Sequence, residues 1–186
     1  MMAIALFQKN SYLYYTITSS GRWFFLGVTA ILTIVAPLFS IGYLLFTKQI
    51  SSIEMHDRKE RYMPMSIMGA YTFGLYYLFS TFNMPTIIMA IIGVSVVGVI
   101  LTLFITYFWK ISAHMMAFSG LTGAVLVLSQ NIHPVPDMVI IGLFFITGVV
   151  GWARLKLNAH TFWQVIAGWV IGFIAATLTM LFLISA

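Results

Sequence analysis

The chain has no cysteine, four acidic residues and only 7% charged residues across 186 positions. Each scarcity excludes something. Without cysteine there is no disulfide, no thiolate nucleophile and no Cys-based zinc or iron–sulfur site. With so little charge, 61% hydrophobic residues and a mean hydropathy of +1.02, the apolar surface exceeds what one water-soluble core can hide. The bilayer is then the main solvent. Linkers, low-complexity tracts and internal repeats are also missing, so one membrane domain over 1–186 is expected. Nine Lys and Arg give a net charge of +5, but scattered over short loops they form no basic face for nucleic acid. Anionic headgroups and lipid phosphates are the expected partners. Lys9 follows the first short apolar run, and the first long run exceeds a signal h-region. The first 21 residues are therefore not read as a cleaved signal.

What the chain does have is long apolar runs. A crossing needs about 20 mostly apolar residues, which predicts an all-α, six-helix transmembrane bundle with helices at about 23–47, 65–82, 85–109, 112–130, 137–153 and 161–185. The expected setting is a multi-pass protein of a bacterial inner membrane. Pro37 is expected to kink the first helix and Pro85 to open the third. Asp137, after the turn Asn131-Ile-His-Pro-Val-Pro, suits a helix start by capping and by the dipole. Gly168-x-x-x-Gly172 with Ala167 makes a small-residue packing face, and Gly142, Gly148 and Gly151 are expected to do the same in the fifth helix. Trp23, Trp109, Trp152, Trp163 and Tyr62 fall near helix ends, as an interfacial belt requires. His133, on the opposite face, has no evident chemistry.

Six alternating crossings put the loop 48–64 and the junctions 110–112 and 154–160 on one side. Seven of the nine Lys and Arg residues lie there, leaving Lys9 and Arg22 for the other. On charge alone that face would be cytoplasmic. With Arg58, Arg61 and Arg154 set aside as ligands, the bias reduces to Lys48, Lys59, Lys110 and Lys156 against Lys9 and Arg22.

Each cluster on this face has a plain reading and a chemical one. Arg154 ends a helix, where a cation complements the dipole and reaches headgroups. His160 and Thr161 open the next helix, with Thr161 a natural N-cap. A phosphate drawn to that helix start would meet backbone N–H groups, Arg154 and the His160 imidazole together. Gln164, one turn on, can hydrogen-bond and orient the ring. Ser112-Ala113-His114 is alone a capped helix start. On the same face as His160, it makes a second imidazole available, one to attack phosphorus and one to protonate the leaving oxygen. The loop 54–64 reads as a solvated turn with pairs such as Asp57–Arg61. Arg58 and Arg61, three apart, can also face one phosphate, with bidentate geometry that lysine lacks.

These three clusters, in this order on six helices, resemble the type 2 phosphatidic acid phosphatase superfamily of membrane lipid phosphatases. That family carries Lys-x6-Arg-Pro, Pro-Ser-Gly-His and Ser-Arg-x5-His-x3-Asp segments. Here the third reads Ala153-Arg154-x5-His160-x3-Gln164, with the same spacing, and the second reads Ile111-Ser112-Ala113-His114. The first is represented by Arg58-x2-Arg61-x2-Pro64. The resemblance implies a phosphohistidine on His160, with His114 as general acid. Arg154, Ser112, the Ala113 N–H, Arg61 and Arg58 would hold the phosphoryl oxygens, and no metal or other cofactor is required. Gln164 stands where the family has an aspartate. An amide accepts a hydrogen bond but carries no charge, so the charge beside the ring is lost unless Glu54, Asp57 or Glu60 supplies it from the loop. Hydrolysis of a lipid phosphate or polyprenyl diphosphate is therefore expected. The alternative is a catalytically degenerate member acting as a lipid-binding or accessory subunit with partner membrane proteins. Magnesium–diphosphate chemistry of the prenyltransferase kind would need a second acidic cluster, which the other loops of this face lack.

Overall fold

The computed structural model describes residues 17–53, 55, 57–131 and 134–185. Lys9, Glu54, His56 and His133 lie outside them. The described residues are all-helical: α1 (Ser19–Phe46), α2 (Tyr62–Thr81), α3 (Thr86–Phe108), α4 (Ala113–Asn131), α5 (Asp137–Lys156) and α6 (Phe162–Ser185). Five of the six are long and apolar enough to cross a membrane. The helix at α2 has the length, but four tyrosines and several Ser, Thr and Gly residues keep it less apolar than the rest. Its course is nevertheless tied to α3. Arg58 and Tyr62 at its start donate to the carbonyls of Phe108 and Tyr107 at the end of α3. The turn at 82–85 joins their other ends, so α2 lies antiparallel along the length of α3.

Local chemistry explains the elements. Proline at 37 removes one N–H and crowds the carbonyl four residues back. The helix responds with a π turn, Ile31–Val35, in which Ala36 N–H reaches the carbonyl of Ile31. Three helices end in Schellman turns. In α1, Gln49 N–H returns to Leu44 and Lys48 sits at φ 56°; in α2, Met84 N–H returns to Phe79 with Asn83 at φ 49°; in α5, Ala159 N–H returns to Arg154 with Asn158 at φ 50°. Asp137 is the first residue of α5, but Pro136 is its cap and no side chain bonds there. The carboxylate acts through the dipole alone.

The bundle is centred on α4. Half of its apolar window is buried, against 6% for α1. This explains why its composition is the least apolar of the five. Protein rather than lipid surrounds it, and small or hydroxylated residues make close helix seams. A Cβ on Gly123 would stand 2.8 Å from the Phe173 carbonyl, and one on Gly172 would stand 2.5 Å from that of Met116. Gly151 packs on Met115 and Val165, whereas Gly142 and Gly148 face open space. The expected small-residue seam in α5 therefore reduces to Gly151. At the end away from the cationic loops, Leu75, Phe79, Ile88 and Ile92 form a buried apolar cluster against Phe25. Trp23, Trp109, Trp152 and Trp163 are all exposed near helix ends, as expected of a belt.

Candidate active site

The Schellman turn after α5 sets the spacing between Arg154 and His160. Arg154 supplies the carbonyl that accepts Ala159 N–H, Asn158 takes the left-handed position, and the next residue is His160. The turn thereby reverses the chain and leaves Arg154 within Coulombic range of His160.

On the far side of that turn, Thr161 and Gln164 form half of a capping box. The Oε1 of Gln164 accepts from Thr161 N–H at 3.2 Å, satisfying one of the N–H groups that a helix start leaves without an acceptor. The same oxygen lies 3.0 Å from His160 Nδ1. A backbone N–H can only donate, so the atom facing it must be the amide oxygen and not the amide nitrogen. An amide oxygen can only accept, so Nδ1 must carry the proton. In the neutral ring this leaves Nε2 with its lone pair. His160 is therefore held as the tautomer that a nucleophile at Nε2 requires.

Close packing brings the second cluster to the same place. Ser112 N–H donates to the backbone carbonyl of Gln164 at 3.4 Å. This approach depends on glycine at 168, where a Cβ would lie 2.8 Å from the Ser112 carbonyl and 3.1 Å from Met115 Cβ. The carbonyl of Ser112 accepts from Met116, as a helix-start residue should. Its hydroxyl, however, has no partner, although the residue is 0% exposed. Arg154 likewise keeps a buried Nε without a partner. Two donors left unsatisfied at this end of the bundle fit an anionic acceptor.

Charge converges there too. The His160 pKa is lowered to about 4: burial lowers it most, the Gln164 hydrogen bond opposes this, and Arg61, Lys110 and Arg154 add to the lowering. His114, exposed at the start of α4, lies within Coulombic range of Arg154 and Arg61. Lys110, which the sequence suggested only as an orientation signal, has its pKa lowered by burial and by Arg61, with Asp57 opposing. Proximity to Ser112 in sequence was its one visible cue. Arg61 is 8% exposed, and its Nε donates to the Met55 carbonyl at 3.0 Å. Arg58 closes the loop onto the Phe108 carbonyl. Of the loop acids, the two that are described are bonded elsewhere. Glu60 holds Ser51 through both carboxylate oxygens, and Asp57 accepts from Lys59 N–H.

Residues 106–184 match the family model of the PAP2 superfamily. Over that segment the chain is similar to the PAP2 superfamily. No curated protein and no solved structure matches the chain. The PAP2 segment contains Ser112, Ala113, His114, Arg154, His160 and Gln164, while Arg58 and Arg61 precede it. With five helices long and apolar enough to cross a bilayer, this is an integral, multi-pass membrane protein.

Proposed function

We propose that this protein acts as a PAP2-superfamily phosphatase, hydrolysing a lipid phosphate or polyprenyl diphosphate through a phosphohistidine on His160. The observation that carries the reading is the His160–Gln164 pair, with Nε2 left free, beside the unpartnered donors of Ser112 and Arg154. In the proposed step, the Nε2 lone pair attacks phosphorus and the bond to the leaving oxygen breaks. His114, as imidazolium, gives that oxygen its proton. Neutral His114 then takes a proton from water, whose oxygen attacks the phosphohistidine and releases inorganic phosphate with Nε2 restored. Arg154, Ser112, the Ala113 N–H, Arg61 and Arg58 stabilise charge on the phosphoryl oxygens. The exposure of His114 suits a proton donor that meets a bulky lipid leaving group.

In this reading all six helices act as one membrane domain. A helical rather than barrel build fits a bacterial inner membrane. Purified protein should release phosphate from phosphatidate or a polyprenyl diphosphate. Equal release from wild type and His160→Ala would rule out the catalytic assignment.

One observation favours a second reading. The amide of Gln164 already serves as a helix cap and offers the ring no charge. A member that binds lipid phosphate without turning it over, as an accessory subunit, would keep the same pocket. Phosphate binding that needs Arg154, together with no turnover and stoichiometric co-purification of other membrane subunits, would identify that case.

A further inference from the structure

A threonine inside an apolar helix satisfies its hydroxyl by donating to a carbonyl one turn back. Thr29, Thr33, Thr72, Thr102, Thr122 and Thr147 all do so here, at 2.7–2.9 Å. Thr106 does not. It is 0% exposed on α3, and its hydroxyl has no partner. One turn earlier, Thr102 touches Met116 of α4 through Oγ1 and Sδ at 3.2 Å. Helices α3 and α4 run antiparallel from a tight junction at 109–112. A turn toward that junction on α3 thus faces a turn toward it on α4, which sets Thr106 level with Ser112. Both hydroxyls are fully buried, unpartnered and at the end of the bundle that holds His160 and Arg154.

We propose that Thr106 is a further ligand of the phosphoryl group, donating its hydroxyl to an oxygen of the tetrahedral anion beside Ser112 and Arg154. The inference rests on the phosphate-site reading above. Arg154 Nε can only donate and both hydroxyls can donate, so the three together suit an oxyanion, and the guanidinium disfavours a cation. The hydroxyl forgoes the carbonyl behind it, as a side chain kept for a transient acceptor must.

The test uses the full chain in detergent, with inorganic phosphate and, separately, phosphatidate in mixed micelles as probes, read by thermal shift and competition. Thr106→Val should weaken inorganic phosphate about tenfold, and Thr106→Ser by no more than about threefold. Weakening of both probes places the contact on the shared phosphate; weakening of phosphatidate alone would overturn it in favour of a headgroup or glycerol contact. The unliganded valine variant should melt at or above wild type, since a methyl replaces an unsatisfied hydroxyl. A lower melting point, or phosphate binding equal to wild type, would overturn the assignment. Arg154→Gln separates the two readings. If it abolishes phosphate binding while Thr106→Val does not, only Thr106 is misassigned. If wild type binds neither probe, the phosphate site falls and Thr106 with it.

Discussion

The amide oxygen of Gln164 closes a helix start and fixes the proton of His160 at once, so substitutions there report on both roles. Gln164→Glu keeps the side-chain length and both hydrogen bonds and adds a charge beside the ring. The imidazolium-like transition state should gain, raising turnover about tenfold, and the His160 pKa should rise. A pH–rate profile would register this as an acid limb moved to higher pH. For the wild type, the depressed His160 pKa of about 4 keeps Nε2 unprotonated well below the ordinary histidine range. The His160-dependent acid limb of kcat/KM should accordingly lie near pH 4 and not near 6.5. The same shift has a stability consequence. The unfolded ring takes its proton near pH 6.5 while the folded ring resists until about pH 4, so folding loses stability as pH falls through that window. His160→Ala should lose less between pH 6.5 and 4.5 in thermal melts. At this scale the Arg154–His160 pair was legible in the sequence because a local turn sets its spacing. Thr106 and Lys110 were not, because burial and unmet hydrogen bonds arise only when distant segments pack.

Between elements, the decisive contact is the seam of α4 and α6. Gly168 lets the Ser112 carbonyl come close, and Gly172 does the same for Met116. Gly168→Ala forces a Cβ to 2.8 Å from a backbone oxygen, which a flexible side chain cannot relieve. It should cost about 1–3 kcal/mol and remove phosphate release by displacing Ser112 from His160. Gly142→Ala and Gly148→Ala meet nothing within 4 Å, and each should stabilise its helix by up to about 1 kcal/mol. Chemical unfolding in detergent would rank the three; equal effects would refute the close-approach argument. The Gly-x-x-x-Gly pattern of α6 was readable in sequence. The division of labour among Gly142, Gly148 and Gly151 was not, since only Gly151 faces a neighbour. The π turn ahead of Pro37 was likewise invisible, although the disturbance it answers was expected from that proline.

For the molecule as a whole, hydropathy and alternation anticipated six helices and the gathering of three cationic segments at one end. The structure places Tyr62 against Tyr107 and Ser112 against Gln164, which is that gathering in detail. Only the apolarity of α2 falls short. Its antiparallel course along α3 argues that it crosses with its neighbour, and a chain without cysteine makes this testable. Lys59→Cys and Leu157→Cys should react with an impermeant maleimide from one side of sealed vesicles, and Thr81→Cys and Pro134→Cys from the other. Labelling of positions 59 and 81 from the same side would mean that α2 does not cross. The chemistry at the gathered end is the central claim, and rapid quench with phosphatidate carrying a labelled phosphate tests it most directly. The account predicts acid-labile label on the wild-type protein, absent from His160→Ala, and both slower to form and slower to decay in His114→Ala, because His114 serves both steps. Turnover by wild type with no protein-bound label in either the wild type or His114→Ala, or label that persists in His160→Ala, would contradict it.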